Sequence, residues 1–253
     1  MLQYCIVCPL VFLAGFVYLI AGGGGLISLP AYIIAGVPAH FAIGTNKLSS
    51  TLGTSISTWR YLETGISEGK TADSASRVCL LYGSGRPQSG FSFSMMVSDT
   101  APKHMMIVML PIVAFYVLRN KNMGDSERTG TISKRRVCVI SLAASFVIGT
   151  YDGFYGPGTG TFLILMLTGA ARMDMRTAAA QTKVINLSSN ISALVTFILT
   201  GNVYYTLGAA ASVCSVAGHY LGAGLVVHDG QKIVRPMVLV VLGILFLKII
   251  AGA

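Results

Sequence analysis

Apolar runs long enough to cross a bilayer recur along the whole chain, and they leave few folds open. In hydrocarbon every backbone N–H and C=O must be paired inside the protein, so only helices or closed strand barrels can span it. A barrel would show sustained apolar–polar alternation, and none is present. Most runs instead approach the roughly twenty residues that a helix needs to cross about 30 Å. Of the 253 residues 53% are apolar and 11% charged, with a mean hydropathy of +0.70, too little polar surface for a water-soluble fold. The sequence therefore predicts an all-α, polytopic helical membrane protein of about eight transmembrane helices, with the lipid bilayer as its partner.

The net charge of +9 does not indicate nucleic-acid binding. The basic residues fall in short loops between apolar runs, as the positive-inside rule requires, and not on a face with aromatic platforms. The five cysteines (Cys5, Cys8, Cys79, Cys138, Cys214) are scattered, and Cys5 and Cys8 lack the second pair or histidine that a metal site needs. They read as small packing residues. Neither a metal nor a cofactor is expected. The N-terminus lacks the charged region of a cleavable signal, so the first apolar run is expected to stay as a helix.

Two lysines stand inside apolar stretches, Lys47 and Lys183, 136 residues apart. The same offset pairs Gly22 with Gly158, Gly24 with Gly160, Leu29 with Leu165, Ala42 with Ala178 and Gly65 with Gly201. A duplicated membrane unit with an interrupted segment and a buried charge is a transporter's pattern. Apolar segments are expected at 4–21, 26–36, 40–62, 75–98 and 104–119, and again at 137–156, 158–171, 177–200, 204–227 and 233–250. This gives a first repeat at 1–120, a polar cytoplasmic linker at 121–136 and a second repeat at 137–253, all one transmembrane domain.

The segments at 26–36 and 158–171 are short for a crossing, and each follows a glycine run. Four glycines inside one helix would cost about 4 kcal/mol relative to alanine, so a break is expected there. If each broken pair counts as one crossing, the repeats are parallel and the loop cations divide ten against five. If each broken pair is a hairpin, the repeats are inverted. Arg60, Lys70, Arg77, Arg119, Lys121, Arg128, Lys134, Arg135, Arg136, Arg172, Arg176, Lys232 and Arg235 then share one side against Lys103 and Lys248, thirteen against two. The cleaner bias favours inversion, with the linker in the cytoplasm and both ends outside.

Inverted glycine loops would reach the membrane centre from opposite faces. Gly23, Gly24 and Gly25, and Gly158, Thr159 and Gly160, would aim helix N-termini and bare amides at an anion. A lysine near the bilayer centre costs about 3 kcal/mol, so two of them ask for a function. Each sits among polar residues: Thr45, Asn46 and Ser50 near Lys47, Thr182 near Lys183. Lys183, Asn186 and Asn190 share one helical face, and Lys47, Ser50 and Thr54 repeat the spacing. Helix packing by small and polar residues is the competing explanation. Asp152 has no acidic counterpart, since the offset sets Phe16 opposite it; it is either a lysine's partner or a proton-coupling residue. His219 reads more readily as a packing histidine, and Arg86 sits awkwardly within an apolar segment.

Two paired motifs carry a family likeness. Ala21-Gly22-Gly23-Gly24-Gly25 precedes Gly44-Thr45-Asn46-Lys47, and Tyr151-Asp152-Gly153-Phe154-Tyr155-Gly156-Pro157-Gly158-Thr159-Gly160 precedes Thr182-Lys183-Val184-Ile185-Asn186. The chain resembles the TauE/SafE family of sulfite exporter-like membrane proteins, also called the toluene-sulfonate-uptake permease family. The resemblance covers nearly the whole chain, with the stretch 80–96 departing from the family pattern. It implies secondary transport of small sulfur-containing anions such as sulfite, sulfonates or sulfoacetate across the cell membrane, linked to an ion gradient. A passive anion channel would explain the lysines as well. An intramembrane enzyme would leave them unexplained, and no nucleophile motif supports one. No ATP-binding loop is present. A homo-oligomer is compatible with the sequence.

Overall fold

A computed structural model describes residues 2–22, 24–63, 133–154 and 158–250. The segments expected at 75–98 and 104–119, Arg86, Gly23 and nearly all of the linker lie outside the described residues. Seven helices are described and no strand among them: α1 (Leu2–Ala21), α2 (Gly25–Ile34), α3 (Ala39–Glu63), α4 (Lys134–Phe154), α5 (Thr159–Gly169), α6 (Met175–Leu199) and α7 (Tyr205–Ile250). Leu2–Ile20, Met175–Leu199 and Tyr205–Val226 are each long and apolar enough to cross a membrane, with mean hydropathies of 2.1, 1.3 and 1.4.

The glycine run ends α1 in a reversal. Gly22 adopts a left-handed backbone (φ 79°) that a side chain would disfavour. Beyond it α2 runs back along α1: Gly24 packs on Ala14 and Tyr18, Tyr32 joins Val7 and Val11, and Gln3 Nε2 donates to the Ala35 carbonyl at 3.2 Å. These two helices form a hairpin, and α3 starts from the hairpin's open end. A second hairpin repeats the arrangement. Ala144 and Ile148 of α4 cluster with Phe162 to Leu165 of α5, while Val137 and Ile140 meet Leu167 and Ala171. Gly158 (φ 84°) makes that turn. Asp174 then opens α6, its carboxylate accepting from the amides of Arg176 and Thr177 at 3.1 and 3.0 Å.

The long helices pack with clear polarity. Gly218 and Gly222 of α7 press on Phe12 and Phe16 of α1, so these two run parallel, their backbones brought close by a small residue one turn apart. Parallel to both is α3, whose Thr45 meets Tyr204 and whose Arg60 meets Tyr220. In contrast α6 is antiparallel to α3: Gly44 lies against Phe197 and Asn202, and Lys47 against Asn190. Arg60 and Arg176 both come within electrostatic reach of Tyr61 and so occupy one end of the bundle.

Two boundaries differ from expectation. The helix α4 begins at Lys134, so the basic triplet opens the helix and does not close the linker. The break expected between 227 and 233 is absent, and α7 continues for 46 residues, about 69 Å. Gly230 alone costs a helix about 1 kcal/mol, which neighbouring turns readily cover. The polar residues at 228–232 interrupt the apolar run without stopping the helix's hydrogen bonding.

Candidate functional site

The two glycine loops meet backbone to backbone. A Cβ on Gly22 would collide with the main chain of Gly160 and Thr161, and one on Gly160 would lie 2.6 Å from Gly22 Cα and 3.1 Å from Asn186 Nδ2. The hairpin tips therefore touch each other instead of flanking an anion-sized space. Neither α2, which follows Gly24, nor α5, which follows Gly158, has a side-chain cap on its N-terminal amides.

Lys183 is fully buried, 0% exposed, and reaches from α6 to the end of α1. Its Nζ donates to the Tyr18 carbonyl and lies over the Tyr18 ring, 4.2 Å from the centroid. That carbonyl also accepts from Gly22 N at 2.8 Å. A cation is well placed at the negative end of a helix dipole. Tyr18 was not singled out in the sequence. The signal that could have found it is its place four residues before the reversal, where a helix ending inside a membrane leaves carbonyls in need of donors.

Lys47 is half-buried and donates to Asn190 Oδ1 at 3.1 Å, joining α3 to α6. A lysine only donates, so Asn190 must present its oxygen and turn its Nδ2 elsewhere. That Nδ2 is buried without a hydrogen-bond partner, as are Asn186 Nδ2 one turn earlier, Gln181 Nε2, Thr182 Oγ1 and Asn46 Oδ1. Each such group costs about 1–3 kcal/mol when left unpaired. One helix, α6, thus carries open amide donors at Asn186 and Asn190 beside the Lys183 ammonium.

A small cavity of about 10 Å³, room for a single water, opens between α1, α2, α3 and α7. Tyr18, Gly24, Gly25, Asn46, Ser50 and His219 are among its lining residues. Of the residues expected to bind substrate, Gly24, Gly25, Asn46 and Ser50 therefore gather here. Lys47 meets Asn190, and Gly160 meets Asn186. Thr45 is turned away, its hydroxyl accepting from Tyr204 N at 3.0 Å. Gly158 and Thr159 open α5, and Thr159 is buried. Asp152 lies in the last turn of α4.

The chain matches the model of the family described as "Sulfite exporter TauE/SafE" over residues 7–249. It is 31% identical over 231 residues to a "Probable membrane transporter protein" of Haemophilus influenzae, covering 90% of this chain and 87% of that one. A protein of the same description from a Sinorhizobium species is 30% identical over 240 residues, 95% of this chain and 89% of its own. The "Probable membrane transporter protein YfcA" of Escherichia coli K12 is 30% identical over 241 residues, 94% and 86% of the two chains. No solved structure matches the chain.

Proposed function

The chain belongs to the sulfite exporter TauE/SafE family and is a multi-pass membrane transport protein, not an enzyme; on that premise we propose that it carries small sulfur-containing oxyanions, of the sulfite, sulfonate and sulfoacetate class, across the cell membrane by alternating access. The observation that carries the anionic reading is the row of open amide donors on α6, Asn186 Nδ2 and Asn190 Nδ2, beside the buried Lys183. Buried donors without acceptors are satisfied by a ligand that brings oxygen atoms and negative charge. Lys47, held by Asn190, adds a second cation from α3.

The hairpin-and-helix units α1–α3 and α4–α6 read as inverted repeats. They match in length, 20, 10 and 25 residues against 21, 11 and 25, and α3 opposes α6 in direction. Arg60 and Arg176 lie at one end, which supports reading that end as cytoplasmic. With the glycine loops in contact, binding requires the two units to part, as rocking of one repeat against the other would do. Asp152, which has no twin, is assigned to coupling with an ion gradient.

Proteoliposomes loaded with sulfite, sulfoacetate, taurine or sulfate test the reading. One of the sulfur anions should exchange with its labelled form, and Lys47→Met or Asn190→Leu should abolish the exchange. Absence of exchange with all four would refute it, and flux without stimulation from the opposite side would identify a channel.

A further inference from the structure

The packing around His219 exceeds what a filler residue needs. Its ring is 2% exposed and wedged between two glycines on two other helices. A Cβ on Gly15 of α1 would lie 2.8 Å from Nδ1, and one on Gly53 of α3 would lie 2.7 Å from Cε1. Nδ1 stands 2.8 Å from the Ser215 carbonyl, which can only accept, so Nδ1 carries the hydrogen. Nε2 is then a bare lone pair, and it is buried with no hydrogen-bond partner. The ring lines the one-water cavity and lies 5.4 Å from the Tyr18 ring, above which Lys183 also sits.

A cavity of about 10 Å³ has room for one water. An open acceptor beside a water is suited to taking a proton. We propose that His219 is a proton-binding station of the transport cycle, served by one water in this cavity, with its charge state linked to Lys183 across the Tyr18 ring. A proton arriving on the water passes to the Nε2 lone pair and leaves the water neutral. The ring then adds a second positive charge beside Tyr18, which repels Lys183 from the end of α1. Tyr18 and Gly15 from α1, Gly53 from α3 and Ser215 from its own helix pack on the ring, polar residues of α2 and α3 line the cavity with it, and Lys183 of α6 acts on it electrostatically. Among the described residues, Lys183 is the charged group acting on it. The repeat offset sets Gly83 opposite His219, so the first half has no equivalent.

The proposal rests on the anion-transport reading, and one experiment separates the two. In proteoliposomes, exchange of a sulfur anion reports transport, and accumulation driven by an imposed pH gradient reports coupling. His219→Gln should keep exchange within about twofold of wild type and lose at least tenfold in pH-driven accumulation. Selective ¹⁵N-histidine spectra at pH 8 should show Nδ1 protonated and Nε2 bare. Should the glutamine variant misfold, His219→Asn, which can still donate to Ser215, takes its place. Wild-type exchange without pH drive, variant accumulation equal to wild type, joint loss of exchange and accumulation in folded protein, or a bare Nδ1 would each overturn the station. Absence of wild-type exchange would overturn the transport reading and the station with it.

Discussion

Lys183→Met separates a binding role from a structural one. Burying the ammonium costs about 3 kcal/mol on insertion scales. Against that stand a charge-assisted hydrogen bond to the Tyr18 carbonyl, about 1.5–3 kcal/mol, and a cation–π contact with its ring, about 0.5–2 kcal/mol. These terms nearly cancel. Removing the lysine also leaves no orphaned acceptor, because the Tyr18 carbonyl keeps its hydrogen bond from Gly22 N at 2.8 Å. Methionine fills similar volume and is at home among Tyr18 and its neighbours. The variant should therefore fold with a stability within about 2 kcal/mol of wild type, read as a shift of a few degrees in a detergent melt followed by size exclusion. Anion exchange should fall at least a hundredfold. Normal exchange would show that Lys183 is only a strut for α1. Collapse of the folded protein would show that the α6–α1 link outweighs its burial cost and would refute the cancellation.

Gly22→Ala would strain a left-handed backbone and drive a methyl into Gly160, so folded yield in the membrane should drop severalfold; normal yield would mean the hairpin tips are not in contact. Asp152→Asn should retain substrate binding yet lose accumulation against a gradient; loss of both would mark it as a lysine's structural partner. An N-terminal reporter active only in the cytoplasm should stay silent, and strong signal would refute the inverted arrangement, whereas the unbroken α7 gives the C-terminus no return crossing to the outside.

Much of the bundle was legible because hydropathy and glycine placement are local signals. The reversals at Gly22 and Gly158 fall where the glycine runs put them, and α3 and α6 match their expected spans within two residues at each end. The partnerships were not legible. Lys183 bonds a backbone carbonyl 165 residues away, and no side-chain pattern announces a main-chain acceptor. Thr45 looked like a ligand from its neighbours, yet a backbone amide from the start of α7 claims its hydroxyl. The cradle around His219 was not legible either, because Gly15 and Gly53 lie on two other helices and form no sequence motif with it. The break missing from α7 shows the opposite error: a polar patch changes what surrounds a helix without ending it.

The contact between Gly22 and Gly160 has a consequence for what substitution can do. Where the two hairpin tips meet, peptide backbone packs on peptide backbone. No side chain larger than hydrogen can be added at either glycine without parting the tips. Substitution at flanking polar positions such as Asn46, Gln181, Asn186 and Asn190 can change the walls beside this contact without touching it.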